Sequence, residues 1–287
     1  MIYLILSILA STAIFVVFKL FNRFKIHTLQ AIVVNYITAA TFGIFSYNST
    51  VDVTTIINST WFFGAIFLGF LFICVFNLMA LTAQRNGLSV ASVAGKMSVI
   101  IPVIFGLYAY DESLKFQKIF GIVLALIAVY LTAVKSKSEQ SSKQGLLLPF
   151  LLFLGSGIID ASIKYFETAY VPKNGIPIFS ATIFGFAGFI GLLILIYNRA
   201  NKTFKFEGKN FFGGVILGAI NYYSIIYLLK ALHYNGLESS TLFTVNNVAI
   251  VMVSTLLGLL LFKESISKMN WLGISLAIVS ILLVTLA

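Results

Sequence analysis

Charged side chains are scarce in this chain: Asp, Glu, Lys and Arg together make up 10% of its 287 residues. Soluble domains carry about 25% of such residues, so the composition excludes an ordinary soluble protein. A single cysteine, Cys74, excludes a framework of internal disulfides and a cysteine metal site. The two histidines, His27 and His233, lie far apart, and no Gly-Lys-Ser/Thr phosphate loop occurs. These absences exclude ATP-driven pumping within this chain and argue against a membrane enzyme, which would gather acids, histidines or metal ligands.

Apolar residues fill most of the sequence. They make up 60% of the chain, and the mean hydropathy is +1.02. A spanning helix needs about 20 apolar residues, and runs near that length occur at 2–21, 29–47, 61–82, 88–110, 116–134, 146–166, 177–198, 211–232, 237–262 and 268–286. Barrel strands are shorter and alternate apolar with polar residues. The sequence therefore predicts an all-α integral membrane protein with ten transmembrane helices.

A polar linker at 135–145 separates the first five runs from the last five. Short motifs recur in the same order on its two sides, which predicts a five-helix repeat at 1–134 and a second at 146–287. The matched motifs are Lys19-Leu-Phe with Lys164-Tyr-Phe, Asn86-Gly-Leu with Asn235-Gly-Leu, Gly106-Leu with Gly258-Leu, Glu112-Ser with Glu264-Ser, and Gly121-Ile-Val-Leu-Ala with Gly273-Ile-Ser-Leu-Ala. Because five crossings bring the chain to the opposite side of the membrane, the second copy must be inverted relative to the first. Inverted repeats are typical of secondary transporters, which bind substrate near the midplane.

This pattern resembles the EamA-like family of the drug/metabolite transporter superfamily. The resemblance rests on the ten spans in two copies, on the pairs Glu112/Gly121 and Glu264/Gly273, and on the lysines Lys19 and Lys164. Members of that family often carry Trp-Gly in helix 1, where this chain has Ser11 and Thr12. The resemblance implies a solute carrier with a central cavity lined by helices from both repeats.

Basic residues are unevenly distributed over the nine predicted connections. Thirteen of the nineteen Lys and Arg residues flank odd-numbered connections, and five flank even-numbered ones. The positive-inside rule then predicts that the odd connections are cytoplasmic and that both termini lie outside the plasma (inner) membrane. The family resemblance implies the reverse orientation. The net charge of +10 belongs to these connections and does not predict a nucleic-acid partner.

Lys96 lies deep inside the fourth run, about 12 Å from its nearer end at a rise of 1.5 Å per residue. A charge at the bilayer centre costs about 2.5–3.5 kcal/mol on insertion scales and needs a partner, a watery cavity or a ligand. Pro102 follows in the same run and can kink the helix. We therefore predict that Lys96 binds an anionic group of the substrate or releases a proton during transport.

Other polar side chains are expected near the same depth. The predicted substrate-binding residues besides Lys96 are Asn35, Tyr36, Asn77, Asn221, Asn246 and Asn247. The asparagines have an alternative role as hydrogen-bonding partners between helices, worth about 0.6 kcal/mol on average. Asp160 is predicted as a proton carrier or as the counter-ion of Lys96, with Lys164 as its companion. Asp160 and Lys164 lie four residues apart, so a local salt bridge is the alternative.

The sequence thus predicts a secondary active transporter, an exporter or exchanger of a small polar organic metabolite that is anionic or zwitterionic, such as an amino acid. The expected partners are this solute and the lipid bilayer, with no cofactor or metal, in a monomer or homodimer. Two alternatives stay open: an integral-membrane enzyme and a non-transporting membrane partner or sensor. A channel pore usually shows rings of charge or repeated carbonyl loops, and neither is visible in the sequence.

Overall fold

The computed structural model describes residues 2–47, 52–109, 116–133, 144–171, 175–200, 207–232 and 239–285. These residues form α-helices and no strand. The helices are α1 (Ile2–Arg23), α2 (Thr28–Phe45), α3 (Val53–Ile57), α4 (Phe62–Arg85), α5 (Leu88–Met97), α6 (Ile100–Ala109), α7 (Phe116–Ala133), α8 (Gln144–Tyr170), α9 (Ile176–Ala200), α10 (Gly208–Leu232), α11 (Ser239–Phe262) and α12 (Lys268–Thr285).

Within the described ranges, seven helices are long and apolar enough to cross a membrane. They lie in α1, α2, α4, α8, α9, α10 and α11. Three shorter helical stretches are also apolar: Leu88–Pro102, Ile119–Thr132 and Lys268–Leu283. The prediction of an all-helical membrane protein with several spans is confirmed at this level.

The chain folds into two compact units that differ from the halves of the sequence. Unit 1 comprises Met1–Leu20, Leu78–Asp160 and Tyr223–Ala287, and unit 2 comprises Phe21–Asn77 and Ala161–Tyr222. Each unit therefore takes segments from both predicted repeats.

In unit 1, α7 packs along α12. Two of the contacts between these helices involve corresponding positions of the two predicted repeats. The Ser280 hydroxyl donates to the Gly121 carbonyl at 2.7 Å. A Cβ added at Gly273 would lie 3.0 Å from the Ala128 carbonyl oxygen. Gly121 and Gly273 are matched positions of the repeat, and Ala128 and Ser280 are the same 152 residues apart. Exchanging the two copies therefore turns one contact into the other.

In unit 2, α2 packs along α9 in the same reciprocal way. A Cβ at Gly43 would lie 3.0 Å from Ala181 Cβ, and one at Gly188 would lie 3.6 Å from Tyr36 Cβ. Gly43 and Gly188 are 145 residues apart, as are Tyr36 and Ala181, and this is also the spacing of Lys19 and Lys164. Lipid tails are as apolar as the helix surfaces, so the hydrophobic effect does not drive helices together inside a membrane. Small residues that permit close approach therefore contribute much of the packing.

The interior of unit 1 is an apolar cluster that fixes α5 against α7, α8, α11 and α12. Its buried members are Val93, Met97, Ile100, Ala125, Ala128, Val129, Phe153, Val251, Ile274, Ala277 and Ile281. This cluster holds the end of α5, where the candidate site lies.

Candidate functional site

The fourth predicted span, 88–110, is a broken helix. Ser98 and Val99 separate α5 from α6. Pro102 has no N–H with which to bond the Ser98 carbonyl four residues earlier. The Ile101 N–H donates to that carbonyl instead, at 2.9 Å. The break therefore follows from the proline, although it lies one turn before it.

Lys96 and Asp160 lie beside this break. Lys96 is half-buried in the last turn of α5, and the Ser98 hydroxyl lies 3.4 Å from Asp160 Oδ2 on α8. Lys96 and Asp160 carry opposite charges on the two neighbouring helices. No direct ion pair within 4.0 Å joins them in the described part of the chain. Lys96 is half-buried and Asp160 is exposed, so neither side chain is fully enclosed by the described residues.

The close approach of α8 to the broken span depends on a glycine. Gly157 lies so near Ile101 that no Cβ would fit there without displacing that side chain. Three residues after Gly157, Asp160 contacts Ser98, which lies three residues before Ile101. The α8 segment and the broken span are therefore antiparallel. Ser98 and Lys96 are two residues apart, about 3 Å at the helix rise. Asp160 and Lys96 therefore lie at nearly the same level of unit 1.

α11 runs antiparallel to α5 on another side of the site. The hydroxyls of Ser92 and Ser254 are 2.6 Å apart. A Cβ at Gly258 would lie 3.6 Å from Leu88 Cβ. At equal rise along both helices, this register puts Asn246 level with the break after α5.

Asn246 is the one predicted asparagine whose buried side-chain oxygen lacks a hydrogen-bond partner among the described residues. Its side chain is 2% exposed, and an unsatisfied buried acceptor costs about 1–3 kcal/mol. Asn247 is half-buried beside it. The Asn246 oxygen is therefore available to a donor that the protein itself does not supply.

Asn35 and Asn221 form a separate pair in unit 2. The Asn221 amide donates to Asn35 Oδ1 at 3.2 Å, and both residues are buried. This is the helix-bridging role that was the alternative for these asparagines. The pair links α2 to α10.

The remaining predicted residues of unit 2 bond to backbone. The Tyr36 hydroxyl donates to the Phe72 carbonyl at 2.8 Å, and its ring is fully buried. The Asn77 amide donates to the Ile73 carbonyl of its own helix at 2.7 Å. Lys164 lies on α8, but its side chain is outside the described set. The structure thus places Lys96 and Asp160 beside the same break and leaves Tyr36 and Asn77 bonded to backbone carbonyls.

A second polar cluster joins three helix ends in unit 1. The Glu264 carboxylate accepts the Leu88 N–H at 3.0 and 3.1 Å and lies 3.1 Å from Lys19 Nζ. Glu264 lies between α11 and α12 in the chain, but its side chain caps the N-terminus of α5. Its repeat counterpart, Glu112, lies outside the described residues. We call Lys19, Glu264 and the Leu88 N–H the carboxylate latch.

Sequence reasoning did not identify Ser98 or the partners of Glu264 in the latch. Ser98 stands four residues before Pro102, and that spacing marks the carbonyl that a proline leaves without its usual partner. Lys19, Glu264 and Leu88 each belong to a motif that the two repeats share. The recurrence of all three motifs was the available signal for the latch.

Four kinds of polar group lie near the break in unit 1. Among the described residues, no three His, Cys, Asp or Glu side chains come together as metal ligands. The site combines an ammonium, a carboxylate, a hydroxyl and an unpaired amide oxygen. Such a set can satisfy a small solute that carries both a negative group and a donor.

Comparisons with known proteins define the relatives of this chain. No protein-family model matches it. One crystal structure, described only as that of a protein, matches with a TM-score of 0.54 and 14% identity, over 98% of this chain and 97% of the other. That likeness concerns the fold alone. An uncharacterized protein of Haemophilus influenzae is 32% identical over 281 residues, which cover 94% of this chain and 93% of the relative. This chain therefore belongs to the same family as the Haemophilus influenzae protein.

Proposed function

We propose that the protein is a secondary transporter of the EamA-like type in the plasma (inner) membrane. It exports or exchanges a small zwitterionic or anionic organic metabolite, such as an amino acid, by alternating access. The observation that carries this proposal is the pair of opposite charges, Lys96 and Asp160, beside a break inside an apolar span.

The cost of burying charge supports a binding role. A lysine and an aspartate at membrane depth are expensive, and a leucine would pack in either place more cheaply. A structural pair would be expected to close into a direct ion pair, whereas these groups stay apart within the described residues. A solute carboxylate at Lys96 and a solute ammonium at Asp160 would replace the hydration that the solute loses on entry.

Asn246 extends this site toward the donor end of the solute. Its unpaired oxygen can accept a hydrogen bond from an ammonium or hydroxyl group. In the α5–α11 register it lies level with the break. A zwitterion would therefore find an acceptor on α11 as well as on α8.

Reciprocal helix contacts support ten spans arranged as two inverted repeats. In a two-fold related pair, residue i of one copy contacts residue j of the other, and j contacts i. The contacts of α7 with α12 and of α2 with α9 obey this rule at the spacings of the sequence repeat. Inverted repeats are the architecture on which many carriers alternate their access.

Solute counterflow in proteoliposomes tests the proposal. Vesicles preloaded with one member of a panel of amino acids, organic anions and sugars receive the same labelled compound outside. We expect saturable accumulation for a zwitterion or anion, and none in protein-free vesicles. Ion flux at channel rates without saturable exchange would contradict the proposal, and chemical conversion of a lipid would point to an enzyme.

A further inference from the structure

We infer that the carboxylate latch is a gate, which closes one end of unit 1 and opens to admit solute to Lys96. This inference rests on the proposed transport function. The three groups join the end of α1, the start of α5 and the connection between α11 and α12. These places belong to the first, third and ninth predicted connections. The latch therefore lies at the end of unit 1 where odd-numbered connections are found.

The surroundings of Glu264 are shaped to hold a carboxylate. A Cβ at Gly87 would lie 2.8 Å from Glu264 Oε2, and one at Gly258 would lie 2.6 Å from the same oxygen. Gly87 also has a φ of +104°, which favours glycine. Side chains at these two positions would displace the carboxylate. Two glycines, a lysine and a helix N-terminus thus converge on one acid.

A polar face of α5 leads from the latch to the proposed site. Ser89, Ser92 and Lys96 are spaced by three and four residues and so share one face of the helix. Leu88 and Lys96 are eight residues apart, about 12 Å at the helix rise. Ser89 is buried, and its hydroxyl has no hydrogen-bond partner among the residues that the structure describes. The Ser92 hydroxyl already bonds the Ser89 carbonyl and the Ser254 hydroxyl. Ser89 and Lys96 are therefore the groups on this face that a solute or water could meet once the latch opens.

The latch is suited to opening because charge and hydrogen bonding hold it. The side chains of Lys19 and Glu264 are 20% and 13% exposed, so neither is fully enclosed. When the pair separates, both charges can hydrate at the membrane surface. An apolar seal of interlocked side chains would offer no such replacement.

Cysteine reactivity in the purified, detergent-solubilised full chain tests the gate. The reporter is Ser89→Cys with Cys74→Ala, and the probe is a positively charged methanethiosulfonate reagent. Glu264→Gln keeps the shape of the side chain but removes the charge that binds Lys19. We expect labelling about tenfold faster in this variant, because the open population rises. The matched control is Glu207→Gln, which breaks an exposed ion pair with Lys209 at 2.8 Å and should leave the rate unchanged.

A second variant keeps the test decisive if Glu264→Gln fails to fold. Lys19→Gln preserves the carboxylate on the Leu88 N–H and removes only the ion pair; it should also accelerate labelling. Unchanged labelling in a folded variant, as judged by its melting temperature, would overturn the gate. The readout needs no substrate, so unchanged labelling with intact counterflow rejects the latch alone. Faster labelling without any counterflow rejects the transport function instead.

Discussion

Lys96, Asp160 and Asn246 are polar side chains of unit 1 without a full set of partners in the described part of the chain. Lys96 and Asp160 carry opposite charges but form no ion pair there, and Asn246 has a buried oxygen without a donor. Their counterparts in unit 2 differ, since Asn35 and Asn221 satisfy each other. This difference between two sets of polar residues can be measured.

Asn246→Ala and Asn221→Ala should have opposite signatures. Asn246→Ala removes an acceptor that the protein does not use, so the KM for counterflow should rise severalfold while the melting temperature stays near wild type. Asn221→Ala leaves the Asn35 oxygen without its partner, so it should destabilise the protein by about 0.6–2 kcal/mol. Thermal unfolding and counterflow on both variants check this. Equal effects of the two changes on KM would contradict the assignment.

The sequence reveals the charged residues of the site better than it reveals their partners. A lysine and an aspartate deep in apolar runs have few roles open to them, so Lys96 and Asp160 could be singled out without a structure. Which asparagine is paired depends on tertiary contacts, and Asn221 and Asn246 look alike in sequence. Ser98 was overlooked for the same reason, because serines are common at helix interfaces.

Helix packing is governed by glycines that face neighbouring backbone. A Cβ at Gly214 on α10 would lie 2.6 Å from the Ala31 carbonyl oxygen, and one at Gly218 would lie 2.8 Å from that of Asn35. Gly185 on α9 has nothing within 4 Å of the same position. Gly185 and Gly214 look alike in the sequence, because the spacing of glycines alone cannot tell which face of a helix meets a neighbour.

Gly214→Ala should therefore destabilise the protein where Gly185→Ala does not. The methyl group at 214 forces α2 and α10 apart, and overpacking of this kind costs about 1–3 kcal/mol. Gly185→Ala should be neutral or slightly stabilising, by up to about 1 kcal/mol from helix propensity. Melting temperatures in detergent compare the pair. A larger loss at 185 than at 214 would contradict the packing described for α2 and α10.

The short helix α3 depends on its cap. Asp52 accepts the Thr54 N–H at 3.0 Å, and bonds from the hydroxyls of Thr54 and Thr55 also lower the pKa of its carboxyl group. Because the pKa is lowered in the folded state, the cap stabilises α3 at pH values above the pKa that Asp52 has in the unfolded chain. This stabilisation is lost as pH falls through the lowered value.

Asp52→Ala should accordingly increase amide hydrogen exchange over 54–57, whereas Asp52→Asn, which keeps a capping oxygen, should change it little. Mass spectrometry of peptides from α3 measures this. Because Asp52 is remote from the Lys96 site in sequence and lies in a connection, counterflow should persist in both variants. Equal exchange in wild type and Asp52→Ala would show that the cap does not hold α3.

At the scale of the whole molecule, the sequence repeat and the compact units divide the chain differently. Each unit combines segments from both halves, and the closest packing joins matched helices such as α7 and α12. The repeat stays a prediction from motifs that recur in the sequence. These motifs could not predict the units, because the units depend on contacts between segments that are distant in the chain.

The orientation of the protein in the membrane can be tested. In unit 1 the Asn86 amide donates to the Gly145 carbonyl at 2.7 Å, which joins the third and fifth connections at one end. The Lys and Arg bias predicts that this end is cytoplasmic. In a Cys74-free background, an impermeant maleimide applied to intact cells should label Thr54→Cys and spare Ser141→Cys. The opposite labelling would mean that the orientation implied by the family resemblance prevails.

The most direct test of the central claim is the counterflow rate of Lys96→Ala against wild type, with Lys230→Ala as a control lysine. Loss of a charged contact to the solute predicts a fall of at least about tenfold for Lys96→Ala. We expect partial recovery in Lys96→Arg, because a planar guanidinium does not replace a compact ammonium. The double variant Lys96→Ala/Asp160→Ala should stay inactive. Wild-type exchange by folded Lys96→Ala, or activity restored in the double variant, would contradict the proposal that Lys96 binds the transported solute.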